Sequence, residues 1–93
     1  MEEKNRKSYF TLKEAEYLKE YYKDKVIGEI PYDNIKMKID SIESVKMENG
    51  MFRIKCVGHS MRQPHIITES YLETIIQELN LEPLHEVLRH TNL

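Results

Sequence analysis

Cys56, His59 and His65 are the residues of this 93-residue chain whose chemistry and spacing first suggest a site. Two residues separate Cys56 from His59 and His65 lies just beyond, so a thiolate and two imidazoles could gather around one loop. A structural zinc site needs four ligands in recognised pairs, and the chain has neither a second cysteine nor a close histidine pair to complete one. A cysteine nucleophile, with His59 or His65 as base, needs its thiol exposed in an electropositive pocket. Cys56 instead continues the alternate-residue row Phe52, Ile54, Cys56, where a free thiol behaves as a small hydrophobe. His85 and His90 are five apart, so they diverge on a helix and read as solvated surface residues. The glycines form no phosphate-binding loop, and no carboxylates are paired in a setting that separates acid from base. The expectation is a protein that is not an enzyme, with no catalytic residue, no metal site and no cofactor.

Binding chemistry is better represented. The net charge of −2 is unevenly spread: residues 35–58 carry five cations against three carboxylates, whereas residues 69–93 carry five carboxylates against Arg89 alone. The cations Lys36, Lys38, Lys46, Arg53 and Lys55 are candidates for an anion or nucleic-acid face, because phosphate contacts from lysine and arginine supply most nonspecific affinity. Sheet-type readers of RNA or single strands also stack bases on exposed aromatics, and none is expected on this face. Lysines additionally keep a solvent-facing sheet soluble and blunt its edges. A second candidate surface is formed by Tyr17 and Tyr21, four apart and so stacked along one helix flank, where a ring can pack while its hydroxyl stays wet. Leu84, Val87 and Leu88 form a third. They complete the domain core or dock on a second copy in a two-fold dimer, and self-association is the expectation.

Function is therefore expected to be that of a non-enzymatic protein–protein interaction module, a small regulator or adaptor. Its contacts would be Tyr17, Tyr21, Leu84 and Leu88, and its partner another protein or a second copy of itself. The alternative is a nucleic-acid-binding small sheet or barrel that uses Lys36, Lys38, Lys46, Arg53 and Lys55.

These residues must be positioned by elements that the pattern of apolar residues defines. Thr11 and Glu14 have the spacing of a reciprocal capping box, flanked by Phe10 and Ala15 as a hydrophobic staple, which predicts a helix over 12–22 with Ala15, Leu18 and Tyr22 facing inward. A short strand over 26–30 should stop at Pro31, which lacks a ladder donor, and Tyr32, Asp33 and Asn34 should turn the chain. Ile35, Met37 and Ile39 alternate with Lys36, Lys38 and Asp40, the period of a strand buried on one face. The alternation slips near Ser41 and Ile42, which implies a bulge or bend.

Asn49-Gly50 is a strong signal for a two-residue type I′ hairpin turn. Such a turn sets Met47 against Phe52, Lys46 against Arg53 and Val45 against Ile54. Met47, Val45, Phe52 and Ile54 would then share the core side, and Lys46 and Arg53 would repel across the hairpin by a few tenths of a kcal/mol, roughly the size of a cross-strand pair effect. After a loop with Gly58 and Pro64, Ile66-Ile67 reads as a short last strand. Ser70 and Glu73 suggest a second capping box ahead of the stripe Leu72, Ile75, Ile76, Leu79. Asn80 ends that helix and Pro83 opens another.

The reading is α+β: an N-terminal helix, a three- to four-stranded antiparallel sheet that is open or small and barrel-like, and two C-terminal helices. Residues 1–8 are expected to be a flexible N-terminal tail and residues 9–93 a single domain. An apolar fraction of 40% beside 32% charged residues suits a folded, soluble chain. The single cysteine allows no internal disulfide, no apolar run has membrane-spanning length, and residues 1–7 precede no hydrophobic stretch of a signal peptide. A cytoplasmic location with no membrane partner is the expectation.

Overall fold

The computed structural model describes residues 9–32 and 35–91, so the expected tail over 1–8 and the turn at Asp33-Asn34 lie outside the described residues. The element order is α1 (Leu12–Val26), β1 (Gly28–Tyr32), β2 (Ile35–Lys46), β3 (Phe52–Ser60), β4 (Ile67–Tyr71), α2 (Leu72–Glu78) and α3 (Leu84–Arg89). The four strands form an open antiparallel sheet in the order β1-β2-β3-β4. This is the α+β arrangement that the sequence predicts.

α1 begins as its residues dictate. Thr11 Oγ1 accepts from the Glu14 amide at 3.1 Å, and Glu14 Oε1 accepts from the Thr11 amide at 3.0 Å. The helix runs one turn past the predicted end, because no breaker follows Tyr22 and Val26 extends the buried stripe Ala15, Leu18, Tyr22 by another four residues. Val26 therefore closes the helix instead of opening β1. Behind it, Ile30, Met37, Ile39, Ile54 and Cys56 from the sheet meet Leu72, Ile75, Ile76, Leu84 and Val87 from α2 and α3 in one core. All three helices supply residues to that core, so among the described residues no helix covers the opposite face of the sheet.

The β2–β3 hairpin departs from the predicted register. Lys46 faces Phe52, Val45 faces Arg53 and Ser44 faces Ile54. The loop has three residues, not two. The Gly50 amide donates to the Met47 carbonyl at 2.9 Å, the Met47 amide donates to the Met51 carbonyl at 2.7 Å, and Gly50 alone sits in the left-handed region at φ 83°. That is a type I turn followed by a glycine bulge, and it moves β2 by one position against β3. Val45 consequently lies on the Arg53 face and Met47 falls just beyond the end of β2, while Phe52 and Ile54 remain inward as expected. The Lys46–Arg53 repulsion does not arise.

Upstream, Ile39 faces Gly58 but Ser41 faces Val57, so Asp40 is an extra residue. This bulge restores Met37 and Ile39 to the core side.

The phase of the ladder follows from two bonds at the end of the sheet. The Met61 amide donates to the Lys36 carbonyl at 3.2 Å and the Ser60 amide donates to the Ile66 carbonyl at 3.3 Å. Because bonded and non-bonded pairs alternate in antiparallel ladders, Thr68 and Ser70 of β4 direct their backbone groups to β3, whereas Ile67 and Glu69 direct theirs away from the sheet. By the same count Gly28 and Ile30 bond to β2, and Glu29 and Pro31 face outward along β1. Pro31 does not stop β1, since the donor it lacks would have pointed into solvent from an edge strand.

α2 begins at Leu72 with Tyr71 as its N-cap, whose side chain makes no capping hydrogen bond, and β4 runs through Ser70, where the expected Ser70–Glu73 box would have begun the helix. At the far end Asn80, at φ 56°, lets the Leu81 amide reach the Ile76 carbonyl at 2.9 Å, the six-to-one bond of a Schellman cap.

At Gly58 β3 approaches the β2 backbone closely: a Cβ there would lie 2.0 Å from the Lys38 carbonyl oxygen and 2.9 Å from its carbon. Backbone cannot yield as a side chain can, so Gly58→Ala is expected to lower unfolding free energy by about 2 to 3 kcal/mol in urea denaturation. A variant as stable as the parent chain would contradict that spacing.

Candidate interaction face of the sheet

β3 carries the site. Phe52, Ile54, Cys56 and Gly58 point to the helices, and Arg53, Lys55, Val57 and His59 point away from them. Opposite these outward residues stand Val45, Glu43, Ser41 and Lys38 of β2, and on the other flank Tyr71, Glu69 and Ile67 of β4. Phe10 pairs with Phe52 through two amide–carbonyl bonds of 2.8 Å, which brings the neighbouring Tyr9 to Arg53.

Arg53 is the centre of this face. Its guanidinium carbon lies 3.5 Å from the Tyr71 ring centroid and 5.6 Å from that of Tyr9, and Nη2 donates to Glu73 Oε2 at 2.7 Å. The Arg53 side chain is 19% exposed, so both the stacking and the charged hydrogen bond act where water screens them little. The pair closes on one prong: Arg53 Nε and Glu73 Oε1 are buried with no hydrogen-bond partner among the described residues.

Other basic side chains of this face also lie beside carboxylates. Lys55 Nζ lies 3.3 Å from Glu69 Oε1, Lys36 Nζ lies 3.8 Å from Glu29 Oε1, and His59 Nδ1 lies 2.8 Å from Asp40 Oδ2. Lys38 makes no ion pair with a described residue, and Lys46 stands on the opposite face beside Phe52. The five predicted cations are therefore not one patch. Four share a face on which carboxylates answer three of them.

The tyrosines of α1 are placed differently from one another. Tyr21 is held down: its hydroxyl donates to Glu82 Oε1 at 2.9 Å, its ring meets Tyr22 edge-on at 4.9 Å, and Lys25 Nζ sits 4.3 Å over it. The hydrogen bond to Glu82, followed by burial, raises the Tyr21 pKa. Tyr17, 6.4 Å from Tyr21 between centroids, is 37% exposed. The Tyr22 hydroxyl donates to the Glu82 carbonyl, so α1 and the segment before α3 are fastened together. Leu84 is only 4% exposed and Leu88 packs half-buried against the core. That stripe closes this chain's own core, so Leu84 offers no surface to a second copy.

Cys56 and His59 lie on opposite faces of β3, so the two do not form a cluster. Cys56 is fully buried and desolvation pushes its thiol up to about 12, which leaves no thiolate for nucleophilic attack near neutrality. Among the described residues no three histidine, cysteine or acidic side chains are grouped as metal ligands would be.

Tyr71, Tyr9 and Glu73 are parts of this face that sequence reasoning missed, and the two rings correct the expectation that it carries no aromatics. The available signal was the alternation Ile67, Glu69, Tyr71, obscured because Ser70 and Glu73 have capping-box spacing. Comparison with protein-family models, curated proteins and solved structures finds no match.

The buried thiol has a measurable consequence. With a native pKa near 12 against 9.0 unfolded, Cys56 stabilises the fold fully below pH 9 and ceases to do so as pH rises toward 12. Stability should fall by about 1.4 kcal/mol per pH unit from this group above pH 9, with Tyr22, whose pKa burial also raises, adding to the fall above pH 10. Cys56→Ala should flatten the pH 9 to 12 slope, and an unchanged slope would contradict the burial.

Proposed function

We propose that the protein is a non-enzymatic interaction module that binds another protein through the outer face of its sheet, centred on Tyr9, Arg53 and Tyr71. What supports this reading is the Arg53 guanidinium stacked on the Tyr71 ring with the Tyr9 ring nearby, on a sheet face that no helix of the described residues covers. Tyrosine and arginine dominate the energetics of protein interfaces, because they bring large contact area and directional bonds at low entropic cost. Here Glu73 and the two rings fix the Arg53 rotamer in advance, so less freedom is lost on binding. Val45 and Val57, half-buried on the same face, supply apolar surface beside the charged groups.

Nucleic acid is the less favoured partner. Tyr9 and Tyr71 could stack bases, but Glu69, Glu73, Glu43 and Asp40 lie among the cations, and each phosphate contact from Arg53 or Lys55 would require an existing ion pair to open. A mixed-charge surface of this kind suits a protein carrying both signs.

Capture of partners from the native cell, with and without nuclease, tests the reading. Proteins retained by the parent chain should survive nuclease and be lost with Tyr9→Ser and with Lys55→Gln, variants whose thermal midpoints should stay near the parent's. Retention that disappears with nuclease, or that neither substitution changes, would count against this face.

A further inference from the structure

The two edges of the sheet are not equally protected. On β1 the outward backbone positions are Glu29 and Pro31, and Pro31 presents no N–H, so that edge cannot complete a ladder with another strand. On β4 the outward positions include Ile67 and Glu69, both with an N–H and a carbonyl that bond to no described residue. β4 carries no proline and no lysine, and Ile67 is 65% exposed, the most of any large apolar residue described. Strands of this composition are templates for pairing.

From this edge we infer a second function: β4 pairs antiparallel with β4 of a second copy of the chain, joining two four-stranded sheets into one about a two-fold axis through Glu69. Three features favour a second copy as the occupant. An antiparallel two-fold arrangement matches each outward N–H of one strand with the outward carbonyl of its twin, so the edge is complementary to itself. Full overlap sets Ile67 against the twin's Tyr71, and an aromatic beside a β-branched residue is a favourable cross-strand pair that covers the exposed isoleucine. Glu69 then meets Glu69 of the second copy, but each is already answered by its own Lys55 at 3.3 Å, which removes the like-charge objection.

A five-residue edge buries less area than a permanent interface, so the association should be weak and concentration-dependent. It shares Tyr71 with the face centred on Arg53 but uses the outward backbone of β4, which the proposed protein contact does not, so Glu69→Pro tests it separately from Tyr9→Ser.

Sedimentation equilibrium of the full chain from micromolar to millimolar concentration reads the association directly. The average mass should climb toward that of two chains. Glu69→Pro removes an outward N–H together with the Lys55 ion pair and should hold the mass at one chain at every concentration, while Glu69→Gln, which loses the ion pair alone, should associate like the parent. Amide exchange on the parent chain keeps the test independent of whether the proline variant folds: Ile67 and Glu69 should gain about tenfold protection between dilute and concentrated samples, with Thr68 and Ser70 unchanged. A mass that stays at one chain, a Glu69→Pro variant that folds and associates like the parent, or protection at Ile67 and Glu69 that ignores concentration would overturn the inference.

Discussion

The side on which each strand residue falls depends on two places where β2 abandons strict alternation. At one end Gly50 adopts φ 83° and makes the hairpin loop three residues long; at the other, Asp40 is inserted opposite no residue of β3. Each shift moves β2 by one position, and a one-position shift exchanges faces. Between them, Ile42 and Ser44 face the helices and Val45 and Glu43 face outward; beyond Asp40, Met37 and Ile39 return to the core. β3 has no such interruption, so its even-numbered residues fix the core and its odd-numbered residues fix the outer face.

That parity explains why the outer face has its chemistry. Arg53 could not stack on Tyr71 and bond Glu73 from the inward side, nor could Cys56 share a face with His59. The same ladder phase decides the edges: Pro31 falls where its missing donor is harmless, and Ile67 and Glu69 fall where their backbone groups bond to no described residue. The two α1 tyrosines and the C-terminal stripe, by contrast, serve mainly to close the domain. Tyr21 and Tyr22 grip Glu82 while Leu84 and Val87 fill the core between α1 and the sheet.

Much of the architecture was legible in local signals. The capping box at Thr11 and Glu14, the stripe from Ala15 to Tyr22 and the row Phe52, Ile54, Cys56 each appear as read, because each depends on contacts a few residues apart or on strict periodicity. The hairpin register did not, since Asn49-Gly50 is compatible with both a two-residue turn and a type I turn closed by a glycine bulge, and only long-range packing selects between them. The end of β4 was hidden for a related reason. Ser70 and Glu73 match a helix start, yet pairing of Ser70 with Cys56 and Tyr71 with Lys55 keeps the chain extended for two more residues. Losing that strand end meant losing Tyr71, and with it the centre of the candidate face.

Cross-strand NOEs in the β2–β3 hairpin probe this arrangement most directly, because opposed Hα atoms approach closely only at non-bonded antiparallel pairs. The observed register requires strong Hα–Hα contacts between Ser44 and Ile54 and between Lys46 and Phe52. Contacts between Val45 and Ile54 and between Met47 and Phe52 would instead return Val45 to the core side, set Lys46 beside Arg53, and contradict the face on which the functional proposal stands.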